Sequence, residues 1–107
     1  MSWLIAGLGN PGPAYTRTRH NVGYLVVEEL RRRANERWTS ARAQRADVVR
    51  TRTSPVGLGA PGAQTEPVVL MRSRTYMNES GIAVRKVADF SHISPDHLIV
   101  VHDELDP

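Results

Sequence analysis

A short apolar segment that runs directly into a glycine-rich turn constrains this chain more than any other feature. Trp3 to Leu8 is mostly apolar, and its last two residues begin the glycine-rich turn Gly7-Leu8-Gly9-Asn10-Pro11-Gly12. A second polar segment, Thr18-Arg19-His20-Asn21-Val22-Gly23, follows within a few residues. The apolar run predicts a buried strand, and the glycines allow the backbone to approach a ligand closely. The turn is therefore either a nucleotide-binding loop or part of an enzyme site in which His20 is the base.

Apolar periodicity predicts an α/β organisation for the rest of the chain. Val22, Val26, Leu30 and Ala34 recur at helical spacing, which predicts an amphipathic helix to about Arg37. A second helix is expected to begin at Asn78-Glu79-Ser80, and further strands are expected at Ala46 to Thr53, Pro67 to Met71 and Leu98 to Val101. The order β-α-β-β-α-β favours a twisted, mixed and partly parallel sheet flanked by helices.

The length of 107 residues predicts one domain over residues 1–107. Pro55 to Gln64 contains three Gly and two Pro, which indicates a loop. The sequence ends at Asp106-Pro107, directly after an apolar strand and without a further element to cover the sheet. We therefore expect the domain to be incomplete at its C-terminus, and whether this length of chain is active alone stays open.

Composition narrows the function classes. No apolar run reaches the ~18 residues of a membrane helix, and the N-terminus lacks the basic start of a secretory signal. Cysteine is absent, which removes disulfides and thiolate catalysis, and we expect a cytoplasmic protein. The net charge is +3, and the 14 Lys and Arg residues are all Arg except Lys86. Arg suits phosphate and stacked bases, but a solvated surface encoded by a GC-rich genome explains it equally well.

Two generic ligand classes fit poorly. Gly7-x-Gly9-x-x-Gly12 matches a dinucleotide fingerprint, but Arg31-Arg32-Arg33 lies where that fold needs an acidic residue on a second strand. The cluster His102-Asp103-Glu104-Leu105-Asp106 does not match the ligand spacing of a zinc or EF-hand site. We expect neither a metal nor a cofactor.

Hydrolysis with a His base fits better. Ligands in open α/β sheets bind beyond the carboxyl ends of the strands, where Asn10, His20, Asn78 and Asp103 would converge if the strands are parallel. His20 could take a proton from water, Asp103 could orient the imidazole, and the Asn amides could stabilise an oxyanion. Each residue alone also has a structural reading, such as a helix cap for Asn78.

Three segments together resemble the bacterial peptidyl-tRNA hydrolase family. They are GLGNPGPAYTRTRHNVGY (7–24), TYMNESG (75–81) and VHDELD (101–106), and they stand in the family's order. The resemblance implies a monomeric, metal-independent carboxylic ester hydrolase that cleaves the ester between a peptide, or an N-blocked amino acid, and the 3′ ribose of tRNA. Such cleavage recycles tRNA from peptidyl-tRNA that has left the ribosome.

By the same resemblance, His20 is the general base and Asp103 its orienting partner. Asn10 and Asn78 would position substrate and water, and Tyr15 and Met77 would line the peptide and terminal-nucleotide side of the cleft. Asn21 would support the loop beside the base.

The sequence departs from the family pattern in two places. Arg72-Ser73-Arg74 replaces a usual Lys-Pro pair, which we expect to preserve charge and loosen the loop. Family members also continue well beyond the Asp-Glu-Leu-Asp block, so part of the binding surface is expected to lie there. A non-catalytic tRNA- or RNA-binding module on the same fold is the alternative, because fold does not imply turnover.

Overall fold

The computed structural model describes residues 2–9, 22–62, 64–75 and 79–102. Within these residues the elements follow in the order β1 (Trp3–Gly7), α1 (Val22–Ala34), β2 (Thr39–Ala41), β3 (Ala46–Ser54), β4 (Gly57–Leu58), β5 (Glu66–Ser73), α2 (Ser80–Phe90) and β6 (Leu98–Val101). Single 3₁₀ turns, Arg42–Gln44 and Pro95–His97, precede β3 and β6. The predicted mixed α/β class is confirmed.

The described strands form one sheet in the order β2-β3-β5-β1-β6, with β4 paired to β3. β1 is parallel to both β5 and β6, whereas β3 is antiparallel to β5 and β2 is antiparallel to β3. The parallel part therefore comprises the three strands that precede the predicted site residues.

The helices cover opposite faces of the sheet because side chains alternate along β1. Leu4 and Ala6 point to the core under α2, where Val84 and Val87 lie. Trp3 and Ile5 point to the other face, where they pack with Leu30 of α1. Both faces of the central strands are thus buried, as expected for parallel strands with helices on both sides.

Several boundaries differ from the sequence predictions. The first helix ends at Ala34 and not near Arg37, because Asn35 adopts a left-handed conformation with φ of 57° that terminates the helix. The predicted loop at Pro55 to Gln64 contains the two-residue strand β4, and Thr39–Ala41 is a strand that the sequence did not indicate.

β6 is less buried than its apolar sequence suggests. Ile99 and Val100 are 46% and 39% exposed, since β6 is an edge strand of the sheet among the described residues. Within the part of the chain described here, neither helix has the length and apolar character needed to span a bilayer.

Candidate functional site at the carboxyl edge of the sheet

The three parallel strands end side by side. Gly7, the last residue of β1, is paired in register with Arg72 of β5 and with Val101 of β6. We call this end of the sheet the carboxyl edge. In α/β proteins it is the edge at which ligands bind, because the loops that follow parallel strands gather there.

α1 begins directly against the carboxyl edge. A Cβ atom built on Gly23 would lie 2.6 Å from the Leu8 backbone nitrogen, and closer still to the carbonyl oxygens of Leu8 and Val101. The Leu8 N–H also donates to the Val101 carbonyl oxygen at 3.0 Å, which joins β1 to β6 just beyond the paired residues. The absence of a side chain at Gly23 therefore lets the first turn of α1 sit on the strand ends, with the positive end of its dipole at this edge.

Tyr24 ties the ends of β1 and β5 together. Its phenol oxygen lies 3.2 Å from the Gly9 carbonyl oxygen and also contacts the carbonyl oxygen of Ser73. The phenol carries a single hydrogen, and this hydrogen is shared between the carbonyl oxygens of Gly9 and Ser73, which are distant in sequence. Burial raises the pKa of the Tyr24 hydroxyl above 10.0, so the phenol remains protonated and able to donate.

Asp47, which lies behind the edge, binds two arginines at the end of β5, Arg72 within the strand and Arg74 just after it. One Asp47 carboxylate oxygen accepts from Arg72 at 2.8 Å, and the other accepts from Arg74 at 3.3 Å. Asp47 stands opposite Arg72 in the antiparallel register of β3 and β5. The Arg72 guanidinium also lies 4.7 Å from the ring centroid of Trp38, a cation–π contact.

The expected loosening of Arg72-Ser73-Arg74 is wrong. Ser73 is the last residue of β5 and is buried, and the Arg74 N–H donates to the Arg45 carbonyl oxygen at 2.8 Å. With both flanking guanidinium groups bound to Asp47, the segment is fixed to the sheet by backbone and side-chain hydrogen bonds.

The residues predicted to form the site lie outside the described residues. They are Asn10, Tyr15, His20, Asn21, Met77, Asn78 and Asp103. The described residues next to them in sequence are Gly9, Val22, Thr75, Glu79 and His102. Each of these neighbours closely follows a parallel strand or begins a helix at the carboxyl edge. The predicted parallel arrangement of the three strands is thus confirmed, and the convergence of the side chains stays a prediction.

Glu79 occupies the N-cap position of α2 and makes no side-chain capping hydrogen bond. The helix-cap interpretation of Asn78 falls on a residue outside the described part of the chain. Among the described residues, no group of three or more His, Cys, Asp or Glu side chains could hold a metal ion.

Comparison with known proteins identifies the family. A family model described as peptidyl-tRNA hydrolase matches residues 4–107. The chain belongs to the peptidyl-tRNA hydrolase family. It is 67% identical over 105 residues to a peptidyl-tRNA hydrolase of Cutibacterium acnes and 49% identical over 105 residues to one of Pseudarthrobacter chlorophenolicus. Each match covers 98% of this chain, and 52% and 49% of the two relatives.

Solved structures of peptidyl-tRNA hydrolases share the fold. The crystal structure of the enzyme from Acinetobacter baumannii matches with a TM-score of 0.79 at 34% identity, covering 98% of this chain and 48% of that one. A structure of a peptidyl-tRNA hydrolase in complex with N-propanol also gives 0.79. The chain therefore spans about half the length of the relatives it matches, and the family resemblance drawn from the three sequence segments is confirmed.

Sequence reasoning missed the groups that support the carboxyl edge. Tyr24 lies outside the apolar stripe of α1, and its contact with Ser73 spans 49 residues. Asp47 lies in a predicted strand, yet its role depends on the register between β3 and β5. The one available signal is a lone Asp among apolar strand residues, because a buried carboxylate is nearly always paired.

Proposed function

We propose that the protein hydrolyses the ester between a peptide, or an N-blocked amino acid, and the 3′ ribose of tRNA. The observation that carries this proposal is the common ending of β1, β5 and β6 at one edge, in a member of the peptidyl-tRNA hydrolase family. The segments with the candidate residues continue directly from these strand ends, which supports their assignment to one site.

His20 is proposed as the general base and Asp103 as the residue that orients it. His20 takes a proton from water as the water oxygen attacks the ester carbonyl carbon. The tetrahedral intermediate then collapses, the bond between the carbonyl carbon and the ribose oxygen breaks, and the protonated imidazole returns its proton to that oxygen. The products are a free peptide acid and tRNA with an intact 3′ hydroxyl. Asp103 stabilises the imidazolium during this cycle.

The remaining candidates are proposed to bind substrate. Asn10 and Asn78 donate amide N–H groups to the developing oxyanion and position the water. Tyr15 and Met77 line the side of the cleft that takes the peptide and the terminal nucleotide. Recognition through backbone and amide groups makes cleavage independent of the peptide's side chains, which suits an enzyme that must accept any peptide.

Following the family resemblance, we propose that the protein acts as a cytoplasmic monomer without metal or cofactor. Turnover that survives exhaustive treatment with a chelator would agree with this assignment. A rate that falls with the chelator and returns on addition of one divalent metal would contradict it.

Release of tRNA from an N-acetyl-aminoacyl-tRNA tests the function. The assay uses the protein at its complete natural length and follows the labelled amino acid as it leaves the tRNA. We expect multiple turnovers in which the N-blocked ester is cleaved. Tight tRNA binding without cleavage would instead establish the alternative, an RNA-binding module on the same fold.

A further inference from the structure

A strongly basic cavity opens beside the carboxyl edge, on the side of α2. It has a volume of about 460 Å³ and is lined by Arg42, Arg45, Arg74, Thr75 and Glu79. We call it the arginine cavity. It lies where the 3₁₀ turn before β3, the end of β5 and the start of α2 meet.

Backbone contacts fix the shape of the arginine cavity. Arg45 adopts a left-handed conformation with φ of 55° that ends the 3₁₀ turn, and its N–H donates to the Arg42 carbonyl oxygen at 3.0 Å. The carbonyl oxygen of Arg45 in turn accepts from the Arg74 N–H at 2.8 Å. The three arginines are therefore held together by the backbone without relying on contacts between their side chains.

The charge of the cavity is not balanced by its own acidic residue. Glu79 lies 3.9 Å from the Arg45 guanidinium, and both side chains are more than half exposed, so this pair is weak. Arg42 has no carboxylate within 4 Å among the residues that the structure describes. Arg74 is bound to Asp47 behind the cavity at 3.3 Å. Arg42 is therefore the guanidinium group of the lining that has no carboxylate partner among the described residues. By contrast, the three arginines at the end of α1 each pair with a glutamate of the same helix.

Thr75 adds a neutral polar group to the lining. Its side chain is only 6% exposed, and its hydroxyl oxygen is buried without a hydrogen-bond partner in the described part of the chain. Leaving such a group unpaired costs about 1–3 kcal/mol. Because this hydroxyl oxygen is buried, the guanidinium groups are the polar groups of the lining that a ligand meets, and they favour an anionic oxygen over an apolar group.

We propose that the arginine cavity binds a backbone phosphate of the RNA substrate near its 3′ end, which rests on the proposed function. Planar guanidinium groups match the geometry of phosphate oxygens and hold their charge at every physiological pH. The lining also adjoins the candidate site in sequence, since Glu79 directly follows Asn78 and consecutive Cα atoms lie about 3.8 Å apart. An RNA strand whose terminal ester reaches Asn78 would bring a neighbouring phosphate to this cavity.

Arg42→Gln tests the proposal most cleanly, because Arg42 has no ion pair among the described residues to lose. The matched control is Arg33→Gln, which removes the same charge from the far end of α1, on the opposite face of the sheet. The probe is an RNA hairpin with a single-stranded 3′ end, and its dissociation constant is measured across a series of salt concentrations with the protein at its complete natural length. We expect Arg42→Gln to weaken binding roughly three- to tenfold and to reduce the salt slope by about 0.7–1, whereas Arg33→Gln changes neither appreciably.

A second arm locates the phosphate. Hairpins that carry one uncharged methylphosphonate linkage, placed in turn at each position near the 3′ end, are compared on the wild type and on Arg42→Gln. At one position, the uncharged linkage should weaken RNA binding by the wild type. It should leave the RNA affinity of Arg42→Gln almost unchanged, because that variant has already lost the contact. Equal affinities and equal salt slopes for Arg42→Gln and Arg33→Gln would overturn the proposal.

The two proposals fail in different ways. If the wild type does not cleave N-acetyl-aminoacyl-tRNA while the Arg42 effect on RNA binding persists, the hydrolase function fails and the phosphate contact stands. If the wild type cleaves the ester while the two arginine variants bind RNA alike, the arginine cavity is excluded as a phosphate site.

Discussion

Gly7 and Gly23 face each other where β1 ends and α1 begins. A Cβ atom built on Gly7 would meet the carbonyl oxygen of Gly23 and would lie 2.6 Å from a methyl group of Val27. Both positions therefore require glycine because a side chain would not fit. Neither Gly7 nor Gly23 has a positive φ, so backbone conformation is not the reason. The close approach sets the distance between the first turn of α1 and the strand ends, on which the geometry of the candidate site depends.

Gly23→Ala is expected to destabilise the protein by about 2–3 kcal/mol, because the added methyl group meets backbone atoms that side-chain rotation cannot move. The matched control is Gly81→Ala in the first turn of α2, where a Cβ meets nothing within 4 Å. Removing a helical glycine there should stabilise by up to about 1 kcal/mol. Urea unfolding of both variants measures the difference, and equal stabilities would contradict the close approach.

Tyr24→Phe should lower the free energy of unfolding by about 1–2 kcal/mol, since it removes the donor that serves the carbonyl oxygens of Gly9 and Ser73. The ring is retained, so packing changes little. Because these carbonyls end β1 and β5, we also expect slower ester cleavage. A variant with wild-type stability and wild-type rate would show that the bridge does not support the site.

Acid should weaken the fold partly through Glu28. Burial raises the pKa of its carboxyl group, but hydrogen bonds from Trp38 and Arg31 outweigh burial and bring the pKa below the usual 4.5. A lowered pKa in the folded state means that this stabilisation is present above pH 4.5 and is lost as the pH falls through the lowered value.

Urea unfolding between about pH 6 and pH 3 measures this loss. Glu28→Gln should lose less stability than the wild type over that range, whereas Glu36→Gln, an exposed control, should follow the wild type. The Glu28 account would be wrong if both variants showed the same dependence on pH.

Asp103→Asn is expected to lower the rate of ester cleavage at saturating substrate by several orders of magnitude, on the order of the 10⁴-fold known for this exchange in a His–Asp pair. Its affinity for tRNA should change little, since the carboxylate acts on His20 and not on the RNA. Single-turnover kinetics and tRNA binding measured on the same preparation separate the two effects. An unaltered rate would remove Asp103 from the mechanism.

Much of the fold could be predicted because its signals are local. The apolar run at Trp3, the helical stripe from Val22 and the apolar strand after Pro67 each correspond to an observed element. The strands β2 and β4 escaped prediction since they contain three and two residues and hold little apolar sequence. The end of α1 was misjudged because the charged residues after Leu30 continue the polar face, while Asn35 alone marks the stop.

The sequence predicted the edge of the sheet at which the site would lie, but it did not predict the contacts that hold this edge together. The β-α-β pattern predicted a partly parallel sheet, and parallel strands would bring the candidate segments to one edge. The order of the strands was not predicted. The contacts that fix this edge join distant positions, such as Tyr24 to Ser73 and Asp47 to Arg74, and they depend on register that composition and periodicity do not encode. The arginine cavity likewise combines residues from three elements.

Cleavage of N-acetyl-aminoacyl-tRNA by a matched pair of histidine variants tests whether His20 is the general base. His20→Asn removes the proposed base, and His92→Asn makes the same exchange at an exposed residue after α2, where φ is 55° and Asn is well tolerated. With the protein at its complete natural length, we expect His92→Asn to cleave at the wild-type rate and His20→Asn to lose at least about 10²-fold. Equal cleavage by the two variants would contradict His20 as the base and with it the proposed mechanism.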